Sequence, residues 1–486
     1  MKRQMLFVAG SLFVILGAGQ FAFAQVVYDD GATHTIPGDP AFMNGQSVWL
    51  QAASGLVIED SATVVGAEDT DHKVAGGGVA VLGQFGTTVD QQGGEVTGGR
   101  GQTEGDALSS LMIRSSGGAG VWTTGDYNGS GGFLTGGFGY AASATDGASS
   151  VSNMVMATGG EALRLLAGAT ASFSGVELQG GEADARFAHT DNVAYGGAAL
   201  VLDDSGLVVI SSGQFTGGTG TGNALVINNA SAFGMGGAAI DVLGSSQLTI
   251  DGGSFHGGVG AGNVIFFPAP SVGVGGAALR IIGPASVTIN DGAFVSGSGG
   301  AVAIPPAVPV TDSDGAIRVI GDDTPGDFQL TINGGSFSGY GYALQTFLTS
   351  PEAASARIDI HGGDFDNSGG GDISLGNPDI VTTIYGSDFQ VDGNPLPMGP
   401  VSALSGTLTG LLVDGSPFAW DFERTNGATL HLADGCDTQS TDISAFVVAV
   451  LSAGADPSLL CMFDANSDGA LDGLDVQGFV ERILGP

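Results

Sequence analysis

Cysteine and basic side chains are almost missing from this chain. It has 2 Cys in 486 residues, and 12 Lys and Arg against 49 Asp and Glu, for a formal charge of −37. A surface so poor in cations repels nucleic acid and anionic membranes, which bind by exchanging counterions for Lys and Arg. It favours solubility and attracts divalent cations instead. Long apolar runs are missing too, except at the start. Residues 1–24 are organised as a secretory signal peptide: Lys2 and Arg3, an apolar stretch from Met5 to Ala18, then the small-x-small site Ala22-Phe23-Ala24. Gly17, Gly19 and Gln20 interrupt that stretch, leaving it short of the about 20 apolar residues that a span requires. No cysteine stands near the cut to carry a lipid, and no later segment is long and apolar enough for a transmembrane anchor. A secreted chain, extracellular, periplasmic or at the cell surface, is the expectation.

Glycine is plentiful, at 88 residues, but follows no three-residue period, which excludes collagen. Apolar residues make up 43% and alternate with polar ones in short runs. Disordered chains lack that patterning. Val, Ile, Leu and Phe in such runs, punctuated by glycine, predict all-β structure with frequent tight turns.

The chain also repeats itself from about residue 77 to residue 393. Clear copies are "GGAALVLDDSGLVVISSGQFTGG" from Gly196, "GGAAIDVLGSSQLTIDGGSFHGG" from Gly236 and "GGAALRIIGPASVTINDGAFVSG" from Gly275. Aligned, they give a column of Phe215, Phe255, Phe294, Phe337, Phe365 and Phe389. Five residues earlier stand Ile210, Ile250, Ile289, Ile332, Ile360 and Ile384. The residue before each isoleucine is mostly Thr or another polar side chain, so apolar and polar positions alternate with the period of a strand. One copy cannot bury its apolar face; stacked copies, about 4.8 Å apart, bury all of them in one column. A second column reads Arg164, Val201, Asp241, Arg280, Arg318 and Gln345, and stacking in register would place Asp241 beside Arg280. The polar residue after each isoleucine (Ser211, Asp251, Asn290, Asn333) is expected to make the corner, where positive φ is needed.

A β-propeller blade needs about 40–45 residues in four strands. The phenylalanines here are 40, 39, 43, 28 and 24 residues apart. A blade cannot lose that much, whereas a solenoid rung can, as loop. The longer copies carry inserts, such as Thr219–Met235 and Val259–Val274, at one point of the rung. They are expected to form a shelf along one side, the natural contact surface. Over roughly residues 28 to 393 the pattern resembles the right-handed parallel β-helix superfamily. That superfamily includes pectin-type lyases, polysaccharide hydrolases, adhesins and phage tailspikes, so the resemblance leaves function open.

Chemistry is hard to find in the repeat. Lyases of that fold abstract a proton with Lys or Arg beside calcium-binding carboxylates. Here Lys73, Arg100, Arg114, Arg164, Arg186, Arg280, Arg318 and Arg357 are scattered. Asp203-Asp204 and Asp322-Asp323 match one of the hydrolases' four motifs, and the other three are missing. His72, His189, His256 and His361 share no column, and no Lys-Ser/Thr follows the glycine pairs to make a phosphate loop. No catalytic residue is nominated.

Residues 394–433 read as a few strands closing the solenoid. From Asp434 the periodicity turns helical: Ile443, Phe446, Val447, Val450 and Leu451, then Val476, Phe479, Val480, Ile483 and Leu484. Before the second set lies a twelve-residue calcium loop. Asp464, Asn466 and Asp468 can aim oxygens at one point, and Gly469 allows the bend. Ala470 offers its carbonyl, Asp472 acts directly or through water, and Asp475 closes the site. Hard oxygen donors and a net negative loop favour calcium. An aspartate in the last position and two helix copies make residues 434–486 resemble the dockerin family. The resemblance implies paired calcium loops and docking onto cohesin domains. The first half carries His431, Ala433 and Gly435 at ligand positions. Ser440-Thr441 matches the family's recognition pair, which Gly473-Leu474 replaces in the second half. Cys436 and Cys461, both in this module of an exported chain, are expected to form a disulfide worth roughly 3 kcal/mol.

The sequence therefore predicts a mainly β chain with four parts: signal peptide 1–24, right-handed parallel β-helix 25–393, β-rich cap 394–433, and two-helix calcium-binding module 434–486. The function expected is a non-catalytic extracellular binding or scaffold protein. A cohesin-like protein, a cell-envelope component or a polysaccharide would be its partner. An extracellular polysaccharide lyase or glycoside hydrolase is the alternative.

Overall fold

The computed structural model describes residues 25–37, 47–71, 74–105, 112–143, 154–186, 191–224, 231–264, 271–302, 310–321, 328–348, 356–367 and 371–434. Phe446, Val447, Val476, Gln477 and Val480 are also described. The strands are mostly parallel and form a nearly closed, solenoid-like sheet, compatible with a β-helix.

One rung shows the plan. Strands Ile240–Leu243, Gln247–Ile250 and Ser254–His256 make three faces around the core. Each pairs in parallel register with its counterpart in the next rung: Ile240 with Leu279, Ile250 with Ile289, Phe255 with Phe294. The isoleucine column is fully buried from Ile210 to Ile384. Phe215, Phe255, Phe294, Phe337 and Phe365 stack with ring centroids 5.1, 4.6, 5.0 and 4.7 Å apart. Stacking of this kind adds about 0.5–1.5 kcal/mol per pair to the burial itself.

Phe389 departs from the expected column. Its strand, Ile380–Val391, pairs antiparallel with Ser405–Leu412, with a bulge between Ser387 and Gln390 where Asp388 takes a φ of 53°. The next ring over Phe365 is therefore Trp420, at 4.7 Å, while Phe389 packs on Phe418. Strands Ser405–Leu412 and Pro417–Arg424 form a hairpin, and the latter continues the first face in parallel beyond Ile373–Leu375. Thr429–Asp434 does the same for the second face. Leu408, Phe418, Trp420 and Phe422 join the main core at this end.

The corners also differ from expectation. Positive φ falls on the glycine two places before the phenylalanine, as at Gly253 (122°) and Gly292 (133°), and not on the preceding Asp or Asn. A Cβ on Gly292 would meet the rims of the Phe294 and Phe255 rings. The polar corner residues instead form a ladder: Asn290 donates to Asp251 at 2.7 Å and Asn333 to Asn290 at 2.8 Å.

The described parts of the inserts are strands. Each leaves the rung after the phenylalanine face as an outgoing strand, such as Gly220–Ala224, and comes back as a returning one, such as Ala232–Met235. Outgoing and returning strands stack into two seven-stranded parallel sheets, which pack against each other as a thin fin. Its interior is filled mostly by small side chains, among them Ala141, Ala157, Ala183, Ala185 and Ala194, with Ile113 and Val155 beside them. Ser115 and Thr103 bridge the layers, donating to the carbonyls of Gly101 (2.7 Å) and Arg114 (2.9 Å).

Glycine pairs form the root of the fin. Gly218 donates to Gly197, Gly237 to Gly218, Gly258 to Gly237 and Gly276 to Gly258, each at 2.8 Å. Outgoing and returning segments thus interleave in one ladder running from Gly78 to Gly297. A Cβ on Gly218 would overlap the carbonyl oxygen of Gly181, and one on Gly237 that of Gly197. The glycine pairs are close backbone crossings, and only glycine fits them.

Candidate functional site

The calcium-loop residues Asp464, Asn466, Asp468, Ala470, Asp472 and Asp475 lie outside the described residues, as do Cys436 and Cys461. So does the two-helix module, apart from single helical residues such as Phe446 and Val476. Among the described residues no group of three or more His, Cys, Asp or Glu is placed to hold a metal ion. No helix among them is long and apolar enough to cross a membrane.

The solenoid's cations are tied into its surface. Arg280 grips Asp241 through two bonds, Nε to Oδ1 at 2.7 Å and Nη2 to Oδ2 at 2.6 Å, on the adjacent rung that the alignment indicated. Asp241's charge holds the Arg280 guanidinium above its ordinary pKa. Arg164 reaches Asp203 (2.7 Å) and Glu161 (3.1 Å); Arg318 pairs with Asp314 and lies over Phe347. Arg186 bonds Asp184 and lies over Tyr140, and Arg100 lies over Phe138. Arg114 is exposed on a returning fin strand. Asp203-Asp204, the one described hydrolase-like pair, is structural: Asp203 holds Arg164, while Asp204, at φ 53°, accepts the backbone N–H of Ser245 at 2.8 Å. Asp322-Asp323, His72, His189 and Lys73 lie outside the described residues. His256 bonds Ser254 at 2.8 Å on an exposed face.

One constellation escaped the sequence. Arg357 donates to Asp359 (2.6 Å) and to the Tyr385 hydroxyl (2.6 Å), which donates to Asp359 at 3.2 Å. The His361 ring stacks on Tyr385 with centroids 4.2 Å apart. Asp359 is 2% exposed although its position points outward from the second face, because these partners enclose it. Arg357 itself keeps half its side chain in solvent. Its pKa is raised, first by the hydrogen bond to Asp359. Tyr385 stands where the repeat has no tyrosine, one place after the last column isoleucine; that irregularity was the available signal.

A groove of about 630 Å³ lies nearby, under the terminal hairpin. Gly363, Phe365 and Trp420 line it together with four carboxylates, those of Asp364, Asp366, Asp372 and Asp414. Asp372 is occupied in part by the backbone N–H of Asp421 at 2.7 Å. A lining so rich in carboxylates offers acceptors to hydroxyl donors and repels anions.

Neither a family model, a curated protein nor a solved structure matches this chain. The functional reading therefore rests on the chemistry of these surfaces.

Proposed function

We propose that this is an exported, non-catalytic scaffold: a right-handed parallel β-helix that presents long, rigid, acidic faces to an extracellular partner. A calcium-stabilised dockerin-like module at its C-terminus attaches it to a cohesin-like protein or to the cell envelope. The observation that carries this reading is the use of the outward ionic side chains. Arg164, Arg280 and Arg318 are each neutralised by carboxylates of the solenoid itself. Such pairs fix the surface and keep these three arginines from serving as the free base that eliminative cleavage of a glycan needs. In the module, Asp464, Asn466, Asp468, Asp472 and Asp475 with the Ala470 carbonyl would hold the calcium ion, whose role is to fold the loop.

A second reading, an extracellular polysaccharide lyase or hydrolase delivered by the same module, is favoured by the Arg357–Asp359–Tyr385–His361 constellation beside the hairpin groove. A panel of neutral and acidic glycans separates the two. Binding without turnover is expected; reproducible cleavage, lost in Tyr385→Phe, would replace the first reading with the second.

A further inference from the structure

The two layers of the fin differ in chemistry. The outgoing layer turns Gln102, Glu104, Asp184 and Arg186 outward. The returning layer turns out Met156, Val193, Phe233 and Val272 in one register column, with Tyr195, Met235 and Val274 in the next. Alternation assigns these directions, since their neighbours Val155, Ala157, Ala194 and Ala232 fill the fin's interior. In a chain with 49 acidic residues, the described strands of the returning layer carry only two charges, Arg114 and Asp312.

Each returning strand runs through the glycine root into the first face of the next rung. The fin's strands pack on one another rather than on the solenoid. The apolar wall and the outward side of the first face therefore meet in a re-entrant corner along the long axis. Its floor is the column of Arg164, Val201, Asp241, Arg280 and Arg318. On the floor Asp241 and Arg280 cancel, as do Arg318 and Asp314, and Arg164 is offset by Asp203 and Glu161, so the strip carries little net charge on a strongly anionic molecule.

We propose that the strip is a self-association surface, on which the apolar fin wall of a second copy of this chain packs, each fin lying in the other's corner. Charge selects the occupant. Cationic partners are drawn to the acidic faces, whereas two copies of an anionic protein can approach closely only where neither carries net charge. Size agrees: seven strands about 4.8 Å apart, with wall and floor each three to five residues long, offer on the order of 1,000 Å². A standard interface buries roughly 800 Å² per partner. The wall side chains are half-buried by their neighbours in the sheet, apart from Val193, which is buried, and an apolar strip of this extent left facing water is otherwise a liability.

Sedimentation of the full mature chain in calcium tests the proposal. A dimer is expected at micromolar concentration, persisting at 0.5 M salt. Phe233→Asp and, separately, Met235→Lys should weaken it at least about 100-fold, a loss of about 2.7 kcal/mol. Thr221→Asp, on the opposite layer, should leave it unchanged. The far-UV circular dichroism of all variants should match the wild type. A wild-type monomer at 100 µM overturns the proposal and assigns the strip to another occupant. So does a dimer that survives both fin variants, which would place self-association elsewhere, for instance in the C-terminal module.

Discussion

Gly237 donates its backbone N–H to the carbonyl of Gly218 at 2.8 Å, although the two belong to opposite layers of the fin. The crossing exists because neither residue has a Cβ. Gly218→Ala should therefore force the layers apart and destabilise the solenoid by about 3 kcal/mol, the upper range for overpacking. Gly300→Ala, where a Cβ meets nothing nearer than 3.8 Å, should stay within about 0.5 kcal/mol. Urea denaturation of the pair measures the contrast; equal effects would refute the packing argument.

Phe294 is fully buried between Phe255 and Phe337. Phe294→Ala should cost about 3–5 kcal/mol, and Phe294→Leu, which refills most of the space, about 1–2 kcal/mol. Calorimetry should show the first variant melting well below the second.

These two sites show what the sequence made legible. The phenylalanine and isoleucine columns and the Asp241–Arg280 pairing follow from period-2 alternation and a constant offset, because in-register stacking keeps each column intact. Fin strands such as Gly220–Ala224 were not legible as strands: glycine and alanine have low strand propensity, and here they are required by the thinness of the fin. The role of the glycine pairs was not legible either, because close approach and positive φ leave the same mark in a sequence. Phe389 left its column because Ile380–Val391 pairs with a hairpin from outside the repeat. The Arg357–Asp359–Tyr385 contacts join residues up to 28 apart through register, which no local motif records.

Tyr127 marks a polar point in the spine. Its hydroxyl donates to Gln91 at 2.8 Å, both side chains are fully buried, and burial pushes the phenol far above its ordinary pKa, with Asp90's charge adding to the effect. A proton held only by the folded state stabilises fully below the unfolded pKa of about 10, and the contribution is lost as pH rises beyond it. Absorbance at alkaline pH should show Tyr127 ionising only as the protein unfolds. Tyr127→Phe should remove that link and cost about 1–3 kcal/mol at neutral pH by leaving Gln91 unsatisfied. A phenol that titrates reversibly in the folded chain would contradict the burial.

For the C-terminal module, chelation should lower its melting temperature, and Asp464→Ala with Asp475→Ala should do so without chelator, since calcium binding and folding are linked. The solenoid's melt should be unaffected. An unchanged module melt in excess chelator would remove calcium from the account.

The central claim is that residues far apart in sequence are stacked rung on rung, and spin-label distances test it most directly. With Cys436 and Cys461 replaced by serine, labels go on outward positions of one register column, which runs through Val57, Asp90, Asn128, Ser172, Val209, Thr249, Thr288 and Thr331. Ser172 and Thr331 are four rungs apart, which predicts about 19 Å between backbones, and Val57 and Thr331 are seven apart, which predicts about 34 Å. Narrow distributions near those values, rising by about 4.8 Å per rung, would uphold the stack. Broad distributions, or distances that do not scale with rung number, would contradict it.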